Sequence, residues 1–303
     1  MNLFRRLPAL GALLLVVVCT HAVGATLSRA VIADPIRDEK YPAFNRQLLI
    51  PSGGVGMNAL LMRAAGKGPK PTLVLLHGLP GNEQNLDLAQ AVRRAGWNVL
   101  TMHYRGSWGS PGNFSIEGAI QDAEAAMVFL RLPENATRFN INTGRVFVGG
   151  HSMGGLAAAL YAAAHPDVAG LLLIDAWNAG SDGKDLLAHP DTLAALLEGL
   201  GDDMGNSLTG TDPARLAEEM KRHANDWDLM MFAPALAIPP TLVIGATRGG
   251  GAENKALADV IRAQHKRRIS SLTIDSDHSF ADHRIALSAA VVNWLQRQTP
   301  TKP

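Results

Sequence analysis

Apolar residues fall along this chain in two alternating patterns. Short continuous runs at 72–76, 98–104, 145–149, 169–174, 241–244 and 269–274 predict strands buried on both faces, as in a parallel sheet. Between them lie stretches with helical spacing at 83–95, 115–132, 153–164, 253–265 and 281–298. Gly96 stops the first of these helices, and Ser115 is placed to cap the second. Two further strands, at 44–50 and 56–63, flank Gly53-Gly54 and predict an antiparallel hairpin leading into the domain. Strands alternating with helices of this length imply right-handed βαβ units and a largely parallel sheet, here of eight strands. The stretch 176–238 breaks the alternation. It holds helical pieces at 192–200 and 213–228 and no convincing strand, and is read as a helical cap inserted over the C-terminal edge of the sheet.

The N-terminus follows a different rule. Arg5 and Arg6 precede an almost wholly apolar run from Ala9 to Val18, and Val23-Gly24-Ala25 supplies small residues for cleavage. This is the layout of a secretory signal peptide, with the mature chain starting near Thr26 and the protein periplasmic or secreted. An uncut N-terminal anchor is the first alternative, although the run falls short of the roughly 20 residues that span a bilayer. A lipoprotein signal at Cys19 is the second, weakened by bulky Val18 before the cysteine. The organisation expected is therefore a leader at 1–25, one core built from 26–175 and 239–303, and the cap at 176–238. No stable membrane partner is expected once the leader is cut.

Composition narrows the function. Hydrophobic residues make up 47% and charged residues 18%, which fits a globular chain and not a disordered one. A formal net charge of +1 without a basic run, together with 5% aromatics, argues against a nucleic-acid partner. The single cysteine, Cys19, allows neither an intrachain disulfide nor a cysteine zinc site. No phosphate-binding glycine loop and no His-Glu-x-x-His occurs, and His278 with His283 lacks a third metal ligand at sensible spacing. No metal and no cofactor is expected.

The chemistry concentrates at Gly150-His151-Ser152-Met153-Gly154-Gly155, between a predicted strand and a predicted helix. Gly-x-Ser-x-Gly alone is a weak signal, and its context strengthens it. A serine on a sharp strand-to-helix turn needs small neighbours, because its backbone is strained and closely approached. The turn lifts the hydroxyl above the sheet edge and aims the Met153 N–H at a developing oxyanion. His278, after the last strand, is placed to serve as base, in the chain order Ser before His. These segments, with Leu75-Leu76-His77-Gly78-Leu79-Pro80-Gly81, Tyr104-Arg105-Gly106-Ser107-Trp108-Gly109 and Asp277-His278-Ser279-Phe280, resemble the α/β-hydrolase superfamily in order and spacing over 44–298. The likeness is greatest to its serine esterase and peptidase branches. The resemblance implies the α/β-hydrolase fold with an eight-stranded, mostly parallel sheet flanked by helices. It also implies a Ser–acid–His triad, no cofactor, and Leu79 as the second oxyanion donor beside Met153.

The acid departs from the family pattern. The usual aspartate after the seventh strand is missing, and the loop reads Gly249-Gly250-Gly251-Ala252-Glu253-Asn254. Two carboxylates stand open as substitutes. Asp175 ends the sixth strand, and Glu253 could reach His278 if the triple-glycine loop is flexible. Either would serve if it met the ring Nδ1, where its task is to fix the tautomer and stabilise the imidazolium. Asp277 is adjacent to His278 and poorly placed to orient it. The expected activity is cleavage of a small-molecule acyl substrate, a carboxylic ester, through a Ser152 acyl-enzyme. An ester is favoured because a displaced acid is better tolerated with a good leaving group. Aminopeptidase or amide hydrolysis, and a non-catalytic binding protein on the same fold, are the alternatives.

Overall fold

Alternate residues of each central strand feed two separate cores, which is what a sheet buried on both faces requires. In the computed structural model, which describes residues 27–265 and 268–298, Val74, Leu76, Val146, Val148, Leu171 and Leu173 face one core. Leu73, Leu75, Phe147, Leu172 and Ile174 face the other. The strands are β1 (Phe44–Ser52), β2 (Val55–Arg63), β3 (Lys70–Leu76), β4 (Asn98–Met102), β5 (Ile141–His151), β6 (Leu171–Ile174), β7 (Thr241–Arg248) and β8 (Ile269–Asp277). They form one eight-stranded sheet in the order β1-β2-β4-β3-β5-β6-β7-β8. β1 and β2 are antiparallel, as expected from the hairpin, and β2 also runs antiparallel to β4; the other pairings are parallel. Helices Ile116–Arg131, Met153–Ala164 and Gly251–Gln264 cover the first core, and Leu86–Arg94 and Arg284–Arg297 cover the second.

The strand order places the site. β3 lies between β4 and β5, so the chain leaves β3 toward one side and leaves β5 toward the other. Loops departing in opposite directions open a crevice at the C-terminal ends of those two strands. The His77-Gly78-Leu79 turn and the Ser152 turn stand at that crevice.

Several elements differ from the expected ones. Short helices at Ala179–Ala188 and Pro133–Phe139 were not anticipated, and the helix from Pro213 ends at Arg222. Ser115 does cap its helix, its Oγ accepting from the Gly118 N–H at 2.8 Å. The segment between β6 and β7 is helical, with Ala179–Ala188, Leu193–Met204 and Pro213–Arg222 as its longer pieces. Two of its ties to the core flank the helix that starts at Ile116. Thr209 N–H donates to Gly106 O (2.7 Å), and Thr209 O accepts from Phe114 N–H (2.8 Å), beside a Ser107–Leu208 bridge. Glu219 Oε2 accepts from the N–H groups of Ile116 and Glu117 at 2.8 and 3.1 Å, which caps that helix with a carboxylate from the segment between β6 and β7. The leader and its cleavage near Ala25 lie outside the described residues. Among those described, no helix is long and apolar enough to cross a membrane.

Candidate active site

Ser152 joins β5 directly to the helix Met153–Ala164, and its backbone sits at φ 54°, ψ −121°. A side chain in that region is strained, and it persists only where the surroundings over-determine it. Here the surroundings are close-packed backbone. A Cβ on Gly154 would stand 2.3 Å from the carbonyl oxygen of Leu76, so only glycine lets the helix start this near β3. The result holds the serine above the sheet edge. Met153 is the first residue of its helix, where an N–H has no acceptor within the helix. Leu79, the other expected oxyanion donor, lines the same cavity as Ser152.

His278 follows β8, and its Nδ1 lies 2.6 Å from Asp175 Oδ2. The two open choices for the acid are thereby separated. Asp175, at the end of β6, is the carboxylate on the ring. Glu253 lines the same cavity from the first turn of the helix Gly251–Gln264, but the ring is not bonded to it. Asp277 turns away as expected and accepts from the Ala281 N–H at 2.8 Å.

The triple-glycine loop has a role other than flexible reach. Asp175 is buried, and besides His278 it accepts from Ala246 N–H through Oδ1 and from Gly250 N–H through Oδ2, both at 2.9 Å. Three donors thus satisfy a carboxylate that would otherwise be costly to bury. A Cβ on Gly249 would lie 2.3 Å from Asp175 Oδ2 and 3.0 Å from His278 Cα. The β7 loop puts no carboxylate on the His278 ring. It closes over the carboxylate of Asp175, at the end of β6, and lends it backbone donors. Gly249→Ala is therefore expected to push Asp175 off the ring and to lower the reaction rate about 10-fold or more. A rate like that of the parent, measured on folded variant, would refute this account of the loop.

Ser152, His278, Asp175 and Leu79 border a single cavity of about 630 Å³. Its far walls come from the segment between β6 and β7 and include Trp177, Leu200, Leu229 and Met230. Of the other apolar residues of that segment, Leu193, Leu196, Leu197 and Phe232 pack on the core, while Met231 is exposed. Asp182, Asp185, Asp203 and Glu253 also line the cavity. Burial pushes the Asp182 carboxyl up, opposed by a hydrogen bond from Trp177 Nε1 and joined by the negative charges of Asp185 and Glu253. Asp228 is engaged by Lys184 Nζ (2.6 Å) and Asn178 Nδ2 (3.0 Å).

The model of the family described as serine aminopeptidase, S33, matches residues 67–226, just over half of the chain. The chain belongs to the serine aminopeptidase S33 family of α/β hydrolases. The matched stretch holds the His77-Gly78-Leu79 turn, Ser152 and Asp175, and stops before His278. An Arabidopsis thaliana protein, alpha/beta hydrolase domain-containing protein WAV2, is 29% identical over 126 residues, which is 41% of this chain and 39% of that protein. The chain thus matches only about two fifths of that relative's length. Among solved structures, an esterase from Pyrobaculum calidifontis is 18% identical, covering 85% of this chain and 88% of its own, with TM-score 0.60. An acylaminoacyl peptidase from Pyrococcus horikoshii is 15% identical, covering 86% of this chain and 42% of its own, with TM-score 0.62. At these identities the shared property is the fold.

Two histidines of this S33-family hydrolase have surroundings that sequence alone did not reveal. His77 is buried, its Nδ1–H donating to Gly78 O at 2.7 Å, and burial holds it down to about 4, with His103 adding to the effect. His151 is buried beside Ser152, and burial followed by the charge of His278 likewise holds it down to about 4. The loop that carries His278 is also fastened from outside. Arg248 pairs with Asp275 and Asp282 at 2.8 and 2.7 Å, and Arg284 Nη1 donates to Ser279 O at 2.8 Å. His283 stands beside Asp282 at 3.2 Å. Among the described residues, no group of three or more His, Cys, Asp and Glu side chains is placed to hold a metal ion.

Proposed function

We propose that this chain is a serine acyl hydrolase with Ser152 as nucleophile, His278 as base and Asp175 as acid. The observation that carries the reading is the convergence of Ser152 and the His278–Asp175 pair on one cavity. Ser152 Oγ attacks the carbonyl carbon while its proton passes to His278 Nε2. The N–H groups of Leu79 and Met153 receive the negative charge that builds on the carbonyl oxygen. The tetrahedral adduct collapses as His278 returns the proton to the leaving group, which leaves an acyl-serine. Water repeats the sequence and releases the acid. Carboxylic esters are the substrate class placed first, since their leaving groups ask least of the returning proton. With Asp175 buried against Nδ1 the acid is not displaced from the ring, so amide bonds fall within the same chemistry.

A second reading, aminopeptidase, is favoured by a specific observation. Asp182, Asp185, Asp203 and Glu253 face the cavity that holds the serine, and a substrate bearing an ammonium group would find a negative field there. The export of the protein after cleavage near Ala25 is proposed on the leader pattern, and the intact mass of the chain recovered from cells checks it.

The test is fluorophosphonate labelling of the purified protein, read by intact mass. One adduct per chain, mapped to Ser152, is expected. Absence of labelling on folded protein would overturn the hydrolase reading in favour of a binding protein. For labelled enzyme, aminoacyl esters and anilides are compared with their N-acetylated forms. If the carboxylates hold an ammonium, acetylation raises KM, and the gap narrows in Glu253→Gln. Equal values for both forms would rule out the second reading.

A further inference from the structure

His151 is the last residue of β5, and the next residue is the proposed nucleophile. Its side chain does not point to solvent or to the substrate cavity. Its Nε2 lies 2.8 Å from the main-chain oxygen of His278, and the two imidazoles stand 4.5 Å apart, centre to centre. A carbonyl oxygen only accepts, so the Nε2 atom carries the proton. His151 Nδ1 is then bare, and it is buried without a partner.

We propose that His151 is a positioning residue, whose Nε2–H grips the backbone of His278 and so sets the base against the Ser152 hydroxyl. This rests on the reading of Ser152 and His278 as nucleophile and base. Holding an imidazole in one place takes more than one point of attachment. Asp175 holds the His278 ring at Nδ1, and the ring itself is otherwise 46% exposed. Arg248 and Arg284 fasten neighbouring residues of the loop, whereas the His151 bond falls on residue 278 itself. Because Ser152 follows His151, this bond joins the nucleophile's strand to the base with no intervening element. Burial keeps His151 uncharged down to about 4. When His278 takes the serine proton, the adjacent ring therefore presents it with no second positive charge.

The test uses the full protein and two variants. His151→Phe keeps a ring and loses the donor, and His151→Gln keeps an amide N–H able to reach the same oxygen. The readout is the second-order rate of fluorophosphonate labelling, in which Ser152 Oγ bonds to phosphorus, fluoride leaves and the hydroxyl proton passes to His278. Melting temperatures show which variants fold. His151→Phe is expected to label about 10-fold more slowly or worse, and His151→Gln to recover most of the loss. Imidazole ¹⁵N shifts of the unmodified protein at neutral pH are expected to show His151 protonated at Nε2 and bare at Nδ1. Parent-like labelling of folded His151→Phe would overturn the proposal, as would no recovery in folded His151→Gln. Should His151→Phe not fold, the tautomer decides: a proton on Nε2 supports the proposal and one on Nδ1 overturns it. A parent protein that does not label at all would refute the hydrolase reading instead, a result distinct from these.

Discussion

Ser152→Ala is expected to lose covalent labelling entirely and to slow ester hydrolysis by roughly 10⁶-fold. Asp175→Asn is expected to fall by about 10⁴-fold. The second effect follows from who donates to Asp175. Oδ2 meets both the His278 ring and the Gly250 N–H, while Oδ1 meets the Ala246 N–H. An amide cannot accept on both sides. If its nitrogen turns to the ring, His278 must accept at Nδ1 and carry its proton at Nε2, where it cannot take the serine proton. If its oxygen turns to the ring, the imidazolium loses its counter-charge and the Ala246 N–H faces another donor. Glu253→Gln, measured with a neutral phenyl ester, is expected to stay close to the parent. Rates measured on folded variants settle the assignment, and it fails if the glutamine variant falls and the asparagine variant does not.

The second large effect is on stability in acid. His77 and His151 are both held down to about 4 from the ordinary histidine value of 6.5. Between those values the unfolded chain binds protons that the folded chain refuses, so stability falls as the pH falls. The contribution of each is fully present above about pH 6.5 and is lost by about pH 4, on the order of 3 kcal/mol apiece. The physical cause lies in the unused nitrogens. His77 Nε2 and His151 Nδ1 are buried without partners, so a proton there would be a charge with no acceptor. Urea titrations from pH 7.5 to 4.5 check this. A midpoint that stays level across that range would refute it, and His77→Gln should flatten the curve.

The parts of this structure that could be read from sequence are those decided locally. Uninterrupted apolar runs marked the central strands, and the helix at 153–164 was placed with both ends correct because small residues follow the turn and His165-Pro166 ends it. The parts that could not be read are decided by contacts far along the chain. Ala179–Ala188 contains Gly180 and Gly183, which speak against a helix. They are tolerated because the helix Pro213–Arg222 packs against that backbone: a Cβ on Gly183 would stand 2.1 Å from Met220 O. The glycines at 249–251 misled in the same way. Read alone they suggest slack, yet in the fold they allow β7 to press on a carboxylate held 75 residues away in sequence from Gly250. The places of Ser152, on the turn after β5, and of His278, after β8, were legible because a turn motif and chain order mark them. Which carboxylate meets the His278 ring was not, since any carboxylate at a strand end looks alike until the neighbouring strand is in place.

Trp108 links the helical segment between β6 and β7 to the His77-Gly78-Leu79 turn. Its main-chain N–H donates to Ser207 O at 3.1 Å, and its indole Nε1–H donates to Pro80 O at 2.8 Å. One residue is thus held at its backbone by the segment between β6 and β7 while its ring holds the carbonyl next to Leu79. Under the proposed mechanism, a displacement of residues 207–209 would reach the turn that carries the oxyanion donor Leu79 through this one side chain.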